Sequence, residues 1–415
     1  MIKYRVLALG PQEVFPPTDG GKESIYGALA TLAKHIAVTY AYPANENSSA
    51  NEANYSAIGV RQIAVSYSPR ESIWVILNAI LRGKPYKFEK YSTKRAVQLY
   101  QDALGTAKFD VVLCFHPHTV ALAKRLQQHN SWCLPIILRE HNIEYELVQS
   151  YRDSLSGIWK WAATVFAVIT RVEEQRIWRC VDAVAFITDR DLLTARTQDP
   201  HSNFLLAPEG VPIPPERVAL KPSSDRQLLV LLNPRATQSV ANLKQFLHSH
   251  WLMASDDPRL QDVSLAITGV GLDQLAELVN MTPTQLSSMR VRALGFVPLL
   301  RDTFATSLAL VSPTYVGGGI RKKVLEAMAN QLPVIATVMD IATCSYFHEG
   351  QNILRLGTPA EFIECVEGLL LDDERWQQLS DAGRITVERF ASWSLLADVI
   401  ISEIARLTEK GAVCQ

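Results

Sequence analysis

A glycine triplet followed by a cluster of cations is the feature of this 415-residue sequence best suited to chemistry. Gly317-Gly318-Gly319 follows a short apolar run, and Arg321-Lys322-Lys323 comes next, at the predicted start of a helix. A helix N-terminus already carries about half a positive charge, so each added cation costs about 0.3–1 kcal/mol unless an anion binds there. Because glycine amides approach phosphate oxygens closely, the segment predicts a phosphate site. A flexible loop before a solvated basic turn is the alternative.

Polar residues also follow predicted strands in the first half of the chain. The carboxyl ends of neighbouring parallel strands meet at one edge of a sheet, where α/β folds bind ligands. We therefore expect a second group of site residues at that edge. The alternatives are ordinary strand-to-helix turns and structural histidines. The residues concerned are Gly20, Gly21, His116, His118, His141 and Glu144.

Composition argues against several other classes of function. The net charge of −1 provides no field that would draw the chain to nucleic acid. The nine histidines show no HExxH spacing and the six cysteines no CxxC pair, so we expect free thiols and neither a bound metal nor a cofactor. No signal-peptide pattern or membrane-spanning run is recognised, which favours a cytoplasmic protein.

The elements that must position these residues alternate between strands and helices. Continuous Val/Ile/Leu runs are typical of parallel strands that are buried on both faces. Two such sets predict an α/β fold with two doubly wound domains. The predicted strands are Arg5–Leu9, Ala37–Tyr42, Arg61–Val65, Val111–Phe115, Pro135–Arg139, Ala183–Thr188, Leu228–Leu232, Ser264–Thr268, Val291–Leu294, Leu308–Ser312, Pro333–Ala336 and Asn352–Arg355.

Four prolines between positions 208 and 215 indicate a stiff connector between the two domains, because proline cannot lie inside a sheet. We therefore predict domains at 1–207 and 208–392. The final helical pattern, 393–415, is assigned to the first domain because it is expected to cross back there.

The cationic segment resembles the donor-binding signature of glycosyltransferase family 4. One branch of that family reads GGG-x-R-x-K-x-LEAMA, then a PV-A-T strand, which here is Gly317–Ala329 followed by Pro333–Thr337. The resemblance implies a GT-B fold, in which two Rossmann-like doubly wound domains face each other across a cleft. It places the acceptor in the N-terminal domain and the nucleotide sugar in the C-terminal domain.

The resemblance also implies roles for donor-site residues. Glu326 would bind the ribose hydroxyls, and the glycine loop with its cations would face the diphosphate. Many relatives carry a glutamate at the position of Gly318, where it faces the transferred sugar. Arg235 follows the first strand of the donor domain, and Phe296 and Val297 lie in the loop that meets the nucleobase. The implied donor residues are Arg235, Phe296, Val297, Gly318, Gly319, Arg321, Lys323 and Glu326.

In the N-terminal domain, the resemblance implies catalytic roles for His116 and Gly21. Relatives place a histidine that touches the donor sugar at this strand end, and His116 is favoured over His118. Gly20, His141 and Glu144 would lie on the acceptor or cleft side. The connector Pro208-Glu209-Gly210-Val211 matches the family's PNGV, with Glu209 in place of asparagine.

The implied activity is transfer of a hexose from a nucleoside-diphosphate sugar to a carbohydrate or lipid-linked acceptor, in polysaccharide or glycoconjugate synthesis. The resemblance implies that the anomeric configuration is retained and that no metal ion takes part. Two alternatives stay open. One is a nucleotide-sugar epimerase of the same fold, and the other is a catalytically silent subunit, since Gly318 replaces the glutamate. Two amphipathic segments, Ile73–Lys84 and Ile158–Ile169, fit either peripheral membrane contact or buried helical faces.

Overall fold

The computed structural model of the chain describes residues 4–44, 51–69, 83–152, 156–216, 226–316 and 321–413. It divides into two compact units, Met1–Gly210 with Trp393–Gln415, and Val211–Ser392. The boundary thus falls slightly after the predicted one. The predicted phosphate-loop residues Gly317, Gly318 and Gly319 lie outside the described residues, as does most of the amphipathic segment Ile73–Lys84.

The first unit contains a seven-stranded, wholly parallel sheet. Its strands are β1 (Arg5–Leu9), β2 (Ala37–Ala44), β3 (Val60–Ser66), β4 (Val111–Phe115), β5 (Ile136–Glu140), β6 (Ala183–Phe186) and β7 (Phe204–Leu206). The order is β3-β2-β1-β4-β5-β6-β7, so the direction of winding reverses between β1 and β4. Apolar clusters on both faces bury the central strands, which explains their continuous hydrophobic sequences.

Helices of the first unit cover these two faces. Side-chain caps fix several of their starts: Asp19 accepts from the amide of Lys22, and Thr93 from that of Ala96. The helices are α1 (Gly20–Leu32), α2 (Glu52–Ala57), α3 (Tyr86–Glu89), α4 (Lys94–Leu104), α5 (Val120–Asn130), α6 (Glu144–Arg152), α7 (Gly157–Cys180) and α8 (Asp189–Gln198), with a 3₁₀ turn at Pro117–Thr119.

The second unit also contains a wholly parallel sheet, with six strands. They are β8 (Gln227–Leu231), β9 (Ser264–Thr268), β10 (Val291–Ala293), β11 (Ala309–Ser312), β12 (Val334–Ala336) and β13 (Leu354–Arg355). The order β10-β9-β8-β11-β12-β13 reverses its winding between β8 and β11. A reversal of this kind leaves a crevice beyond the carboxyl ends of the two strands, where open α/β sheets bind ligands.

The helices of the second unit again lie on both faces of the sheet. They are α9 (Thr237–Phe246), continued by a π-helical stretch at Leu247–Trp251 and by α10 (Leu252–Asp256), then α11 (Leu272–Val279), α12 (Pro283–Ser288), α13 (Leu300–Ala305), α14 (Lys322–Ala329), α15 (Val338–Ile341), α16 (Pro359–Leu371) and α17 (Asp373–Phe390), with a 3₁₀ turn at Pro258–Leu260.

The sequence pattern did not predict β7, because only three residues form it and two of them are half-buried. The helix α14 ends at Ala329, and Gln331 beyond it has a φ of 58°. A left-handed residue of this kind ends a helix.

The last helix, α18 (Trp393–Val413), packs with the first unit. The Trp393 ring fits against two glycines: a Cβ at Gly27 would lie 2.0 Å from its Cζ2, and one at Gly210 2.4 Å from its Cδ2. Only glycine leaves room for the indole at these two positions. The start of α18 is therefore held against α1 and the end of the connector.

A buried ion pair joins three segments of the first unit. Arg139, at the end of β5, is fully buried, and its Nη2 donates to Glu209 Oε2 at 3.0 Å. Ser24 of α1 donates to the same oxygen at 2.5 Å and accepts from Arg139 Nη1 at 2.9 Å. The residue that replaces the asparagine of PNGV is thus the counterion of a buried arginine.

We expect Glu209→Ala to lower the free energy of unfolding of the first unit by about 3–5 kcal/mol, because it leaves the buried guanidinium without a counterion. Glu209→Gln should lower the free energy of unfolding by less, since its amide oxygen still accepts hydrogen bonds. The matched control is Glu146→Ala in the same unit, whose partner Arg190 is exposed and whose pair should contribute under about 1 kcal/mol. Urea denaturation checks this, and equal losses for Glu209→Ala and Glu146→Ala would contradict it.

Candidate functional site

A buried carboxylate organises the start of α14 in the second unit. Asp340 is fully inaccessible, and its Oδ1 accepts from Arg321 Nε at 2.8 Å. Its Oδ2 accepts from the hydroxyl of Ser312, the last residue of β11, at 2.6 Å. Asp340 lies in α15, after β12, so it ties together segments that follow two neighbouring strands. The guanidinium of Arg321 is consequently fixed at the carboxyl edge of the sheet.

Lys323 and Glu326 follow Arg321 along α14, and both side chains are half-buried. Burial lowers the pKa of the Lys323 ammonium to about 8, and Asp340 opposes the shift while Arg321 adds to it. A cation that lies partly desolvated beside another cation gains from a bound anion. The two cations thus lie close enough at the start of α14 for Arg321 to act on Lys323.

Asn242 holds the segment that leads into the glycine loop, a role that no motif predicts. Its Oδ1 accepts from the amides of Tyr315 and Val316, both at 3.0 Å, and its Nδ2 donates to the carbonyl oxygen of Val316 at 3.0 Å. Asn242 belongs to α9, which follows β8, whereas Val316 follows β11. These three hydrogen bonds therefore join the segments that follow β8 and β11, the two strands between which the winding of the sheet reverses.

The other predicted donor residues lie at the same edge of the sheet. Arg235 follows β8, is exposed, and forms no ion pair with any residue that the structure describes. Phe296 and Val297 follow β10, and the Phe296 side chain is 83% exposed. Gly295, with a φ of 69°, accepts from the amide of Gly269 at 2.7 Å and donates to Val270. The loops after β9 and β10 are thereby joined.

In the first unit, Gly20 and Gly21 form the first turn of α1. Both are exposed, and a Cβ at Gly20 would meet no atom within 4 Å, while one at Gly21 would meet only Asp19 Oδ1, at 3.3 Å. They lie at the start of the helix that follows β1 and not in a loop at the end of that strand. Their amides lie at the positive end of a 13-residue helix.

His116 adopts a backbone conformation that is rare for any residue with a side chain, with φ 71° and ψ 148°. Strain of this kind costs about 1–3 kcal/mol and concentrates at functional sites. The His116 ring stacks on that of His141 at 4.2 Å and lies 5.9 Å from that of His118. Burial, with Arg139 nearby, lowers the pKa of His116 to about 4, so its imidazole is neutral at neutral pH.

The tautomer of His141 follows from its neighbour. Arg139 Nη1 lies 2.9 Å from His141 Nε2, and because a guanidinium only donates, Nε2 must accept. His141 is therefore neutral and carries its proton on Nδ1, a buried atom without a hydrogen-bond partner among the described residues. Burial lowers the pKa of His141 well below its usual value, with His116 and Arg139 acting in the same direction.

A pair of buried glutamates positions the start of α6. Glu174 of α7 accepts from the amides of Glu144, at 2.6 Å, and Tyr145, at 3.3 Å. Glu140, at the end of β5, accepts from Trp178 Nε1 at 2.7 Å. Burial raises the pKa of both carboxyls, and the charge of Glu174 adds to the shift of Glu140.

Glu144 is thus held at the first residue of α6, where its carboxylate approaches His118 Nε2 at 3.8 Å. With His116, these residues bring three potential metal-ligating atoms within 4.8 Å of one another. No metal-ligand spacing in the sequence predicted this grouping, because both histidines follow β4 whereas Glu144 follows β5.

Comparison with known proteins identifies one family within the second unit. Residues 235–372 match the family described as Glycosyl transferases group 1. This range contains the predicted donor residues from Arg235 to Glu326. A search of curated proteins gives no significant match for the sequence.

Solved structures resemble the whole chain. Sucrose-phosphate synthase from Thermosynechococcus elongatus has a TM-score of 0.67 at 14% identity, with 100% of both chains covered. HepE from Anabaena, in complex with UDP-glucose, has a TM-score of 0.63 at 14% identity over 97% of this chain and 100% of its own. TarM from S. aureus, as a mutant in complex with fondaparinux, alpha-GlcNAc-glycerol and UDP, has a TM-score of 0.66 at 9% identity over 97% and 99%.

Identities this low establish the fold and not the substrates. The two parallel α/β units and these neighbours confirm the predicted GT-B class, with two Rossmann-like domains. The group 1 match in the second unit, together with this fold, supports a glycosyltransferase.

Proposed function

We propose that this protein transfers a hexose from a nucleoside-diphosphate sugar to a carbohydrate or lipid-linked acceptor, in polysaccharide or glycoconjugate synthesis. The observation that carries the proposal is the pair of cations, Arg321 and Lys323, anchored by Asp340 at the carboxyl edge of a parallel sheet. The neighbour HepE was crystallised with UDP-glucose, and TarM with UDP and carbohydrate ligands, which supports the same ligand classes here.

In the proposed mechanism, the second unit binds the donor. Arg321, Lys323 and the N-terminus of α14 take up the negative charge that develops on the leaving diphosphate. Gly318 and Gly319 would add backbone amides to the same phosphates, and Arg235 a further cation. Because these groups supply positive charge, departure of the diphosphate requires no metal ion.

The first unit contributes the remaining polar groups. The neutral His116 ring is suited to hydrogen-bond sugar hydroxyls, since it offers one donor and one acceptor nitrogen. His141 offers only the N–H of Nδ1, because its Nε2 accepts from Arg139. Gly20 and Gly21 present an open helix start, and Glu144 a carboxylate. Retention at the anomeric carbon and the catalytic role of Gly21 stay predictions from the family resemblance, and a cytoplasmic location stays a prediction from the sequence pattern.

Product analysis tests the proposal against its alternatives. We would incubate the protein with UDP-, GDP- and ADP-sugars and follow products by mass spectrometry. Release of nucleoside diphosphate with free or transferred sugar supports a transferase. Conversion to an isomeric nucleotide sugar would instead identify an epimerase, and absence of any turnover or donor binding would favour a silent subunit.

Glu326→Ala should weaken binding of the preferred nucleoside diphosphate about ten- to a hundred-fold, because a charge-assisted hydrogen bond to the ribose contributes about 1.5–3 kcal/mol. Calorimetric titration measures this loss. Glu277→Ala, an exposed glutamate on α11 of the same unit, is the matched control and should leave affinity unchanged. An affinity of Glu326→Ala equal to that of the control would exclude the ribose role.

We also propose peripheral contact between α7 and an anionic membrane surface. Val165, Val168 and Val172 follow Trp161 at helical spacing along one exposed stripe, and Trp161 is 70% exposed. The exposed Lys160 and Arg171 are suited to anionic headgroups. None of the described helices combines the length and apolarity that crossing a bilayer requires.

Trp161→Ala should lower partition into vesicles of anionic phospholipid about tenfold, since an indole buried at the interface contributes about 1.5 kcal/mol or more. Leu193→Ala, which truncates an exposed apolar residue on α8, is the control and should bind as the unchanged protein does. Co-sedimentation gives both values. Equal binding of the two variants would rule out docking through this stripe.

A further inference from the structure

We propose that His116, His118 and Glu144 form a binding site for a divalent transition-metal ion, with Zn²⁺ as the best fit. The site lies wholly within the first unit, at the carboxyl ends of β4 and β5. It goes beyond the proposed sugar transfer, which needs no metal. Bound Zn²⁺ would occupy imidazole and carboxylate groups assigned above to substrate, so it would inhibit the transferase.

The geometry of the three side chains carries the proposal. One ligand atom from each lies within 4.8 Å of the other two. Zinc bonds to imidazole nitrogen and carboxylate oxygen are about 2.0–2.2 Å long, so small side-chain rotations would bring all three onto one ion. Two histidines and one glutamate are a frequent zinc donor set that leaves the fourth position open.

The state of His118 favours a ligand. Its Nε2 is buried and has no hydrogen-bond partner among the described residues, and the Glu144 oxygen at 3.8 Å is too distant to provide one. A buried nitrogen without a partner costs about 1–3 kcal/mol, and coordination to a metal would remove that cost. The ring is held in place by Phe88, whose centroid lies 5.1 Å away.

The donor set carries one negative charge, on the carboxylate of Glu144. That charge offsets the repulsion between a bound cation and the nearby Lys87 and Lys90.

The supporting residues restrict how the ligands move. Glu174 fixes the start of α6 and hence Glu144, while the strained backbone of His116 and its stacking on His141 restrict that imidazole. Residues that orient metal ligands in this way raise metal affinity. The chain thus provides the ligands and the groups that hold them.

Cobalt titration tests the site without reference to activity. Co²⁺ replaces Zn²⁺ in such sites and gives a visible absorption band when four-coordinate. We expect a saturable band with one equivalent of Co²⁺, and its loss when Zn²⁺ is added. Exposed Cys133 and Cys180 are alkylated beforehand, so that thiolates do not compete.

His118→Ala and Glu144→Gln should each lower Co²⁺ affinity at least about tenfold, whereas the exposed control His35→Ala should leave it unchanged. Thermal unfolding verifies that all three variants are folded. Absence of a saturable band, or equal affinity in His118→Ala, Glu144→Gln and His35→Ala, would overturn the metal site.

Inhibition separates this inference from the proposed function. Once a turned-over donor is known, Zn²⁺ should suppress turnover of the unchanged protein, and EDTA should restore it. Turnover that requires Zn²⁺ would overturn the inhibitory role. Failure to find any turnover would count against the proposed function alone, because the cobalt spectrum reports the metal site independently.

Discussion

Asp340 sets the position of the groups that the proposed chemistry depends on. It is a buried carboxylate that accepts hydrogen bonds from Arg321 and Ser312, so it connects the segments after β11 and β12. An isolated buried carboxylate is costly, and the arginine provides the counterion that makes its burial tolerable. In return, the guanidinium is held at the edge of the sheet beside Lys323. The result is a concentration of positive charge that an anionic ligand would relieve.

The first unit also depends on a buried ion pair. There the buried charge is the cation of Arg139, and Glu209 from the connector is its counterion. Arg139 also fixes the tautomer of His141, which in turn stacks on His116. The buried Glu174 accepts from the amide of Glu144 and so holds that residue nearby. The charged residues at the carboxyl ends of β4 and β5 therefore hold one another in place. They also fix the positions of the neighbouring histidines.

Much of this fold was accessible from sequence, because buried parallel strands have a strong apolar signal. Arg5–Leu9, Val111–Phe115 and Ser264–Thr268 begin and end where predicted. The positioning contacts were not accessible, since they join residues far apart in the chain. Arg139 and Glu209 are separated by 70 positions, and Asn242 and Val316 by 74. Local periodicity contains no information about such pairs, nor about the approach of Glu144 to His118.

The central claim is that the cations at the start of α14 bind a diphosphate, and a comparison of two ligands tests it most directly. Calorimetry would measure the affinity of the preferred nucleoside diphosphate and of its nucleoside for the unchanged protein, Arg321→Ala and Lys323→Ala. The account predicts that both variants lose about tenfold or more for the diphosphate, as expected for charge-assisted contacts, and little for the nucleoside. Equal losses for the two ligands, or no preference for the diphosphate in the unchanged protein, would contradict it.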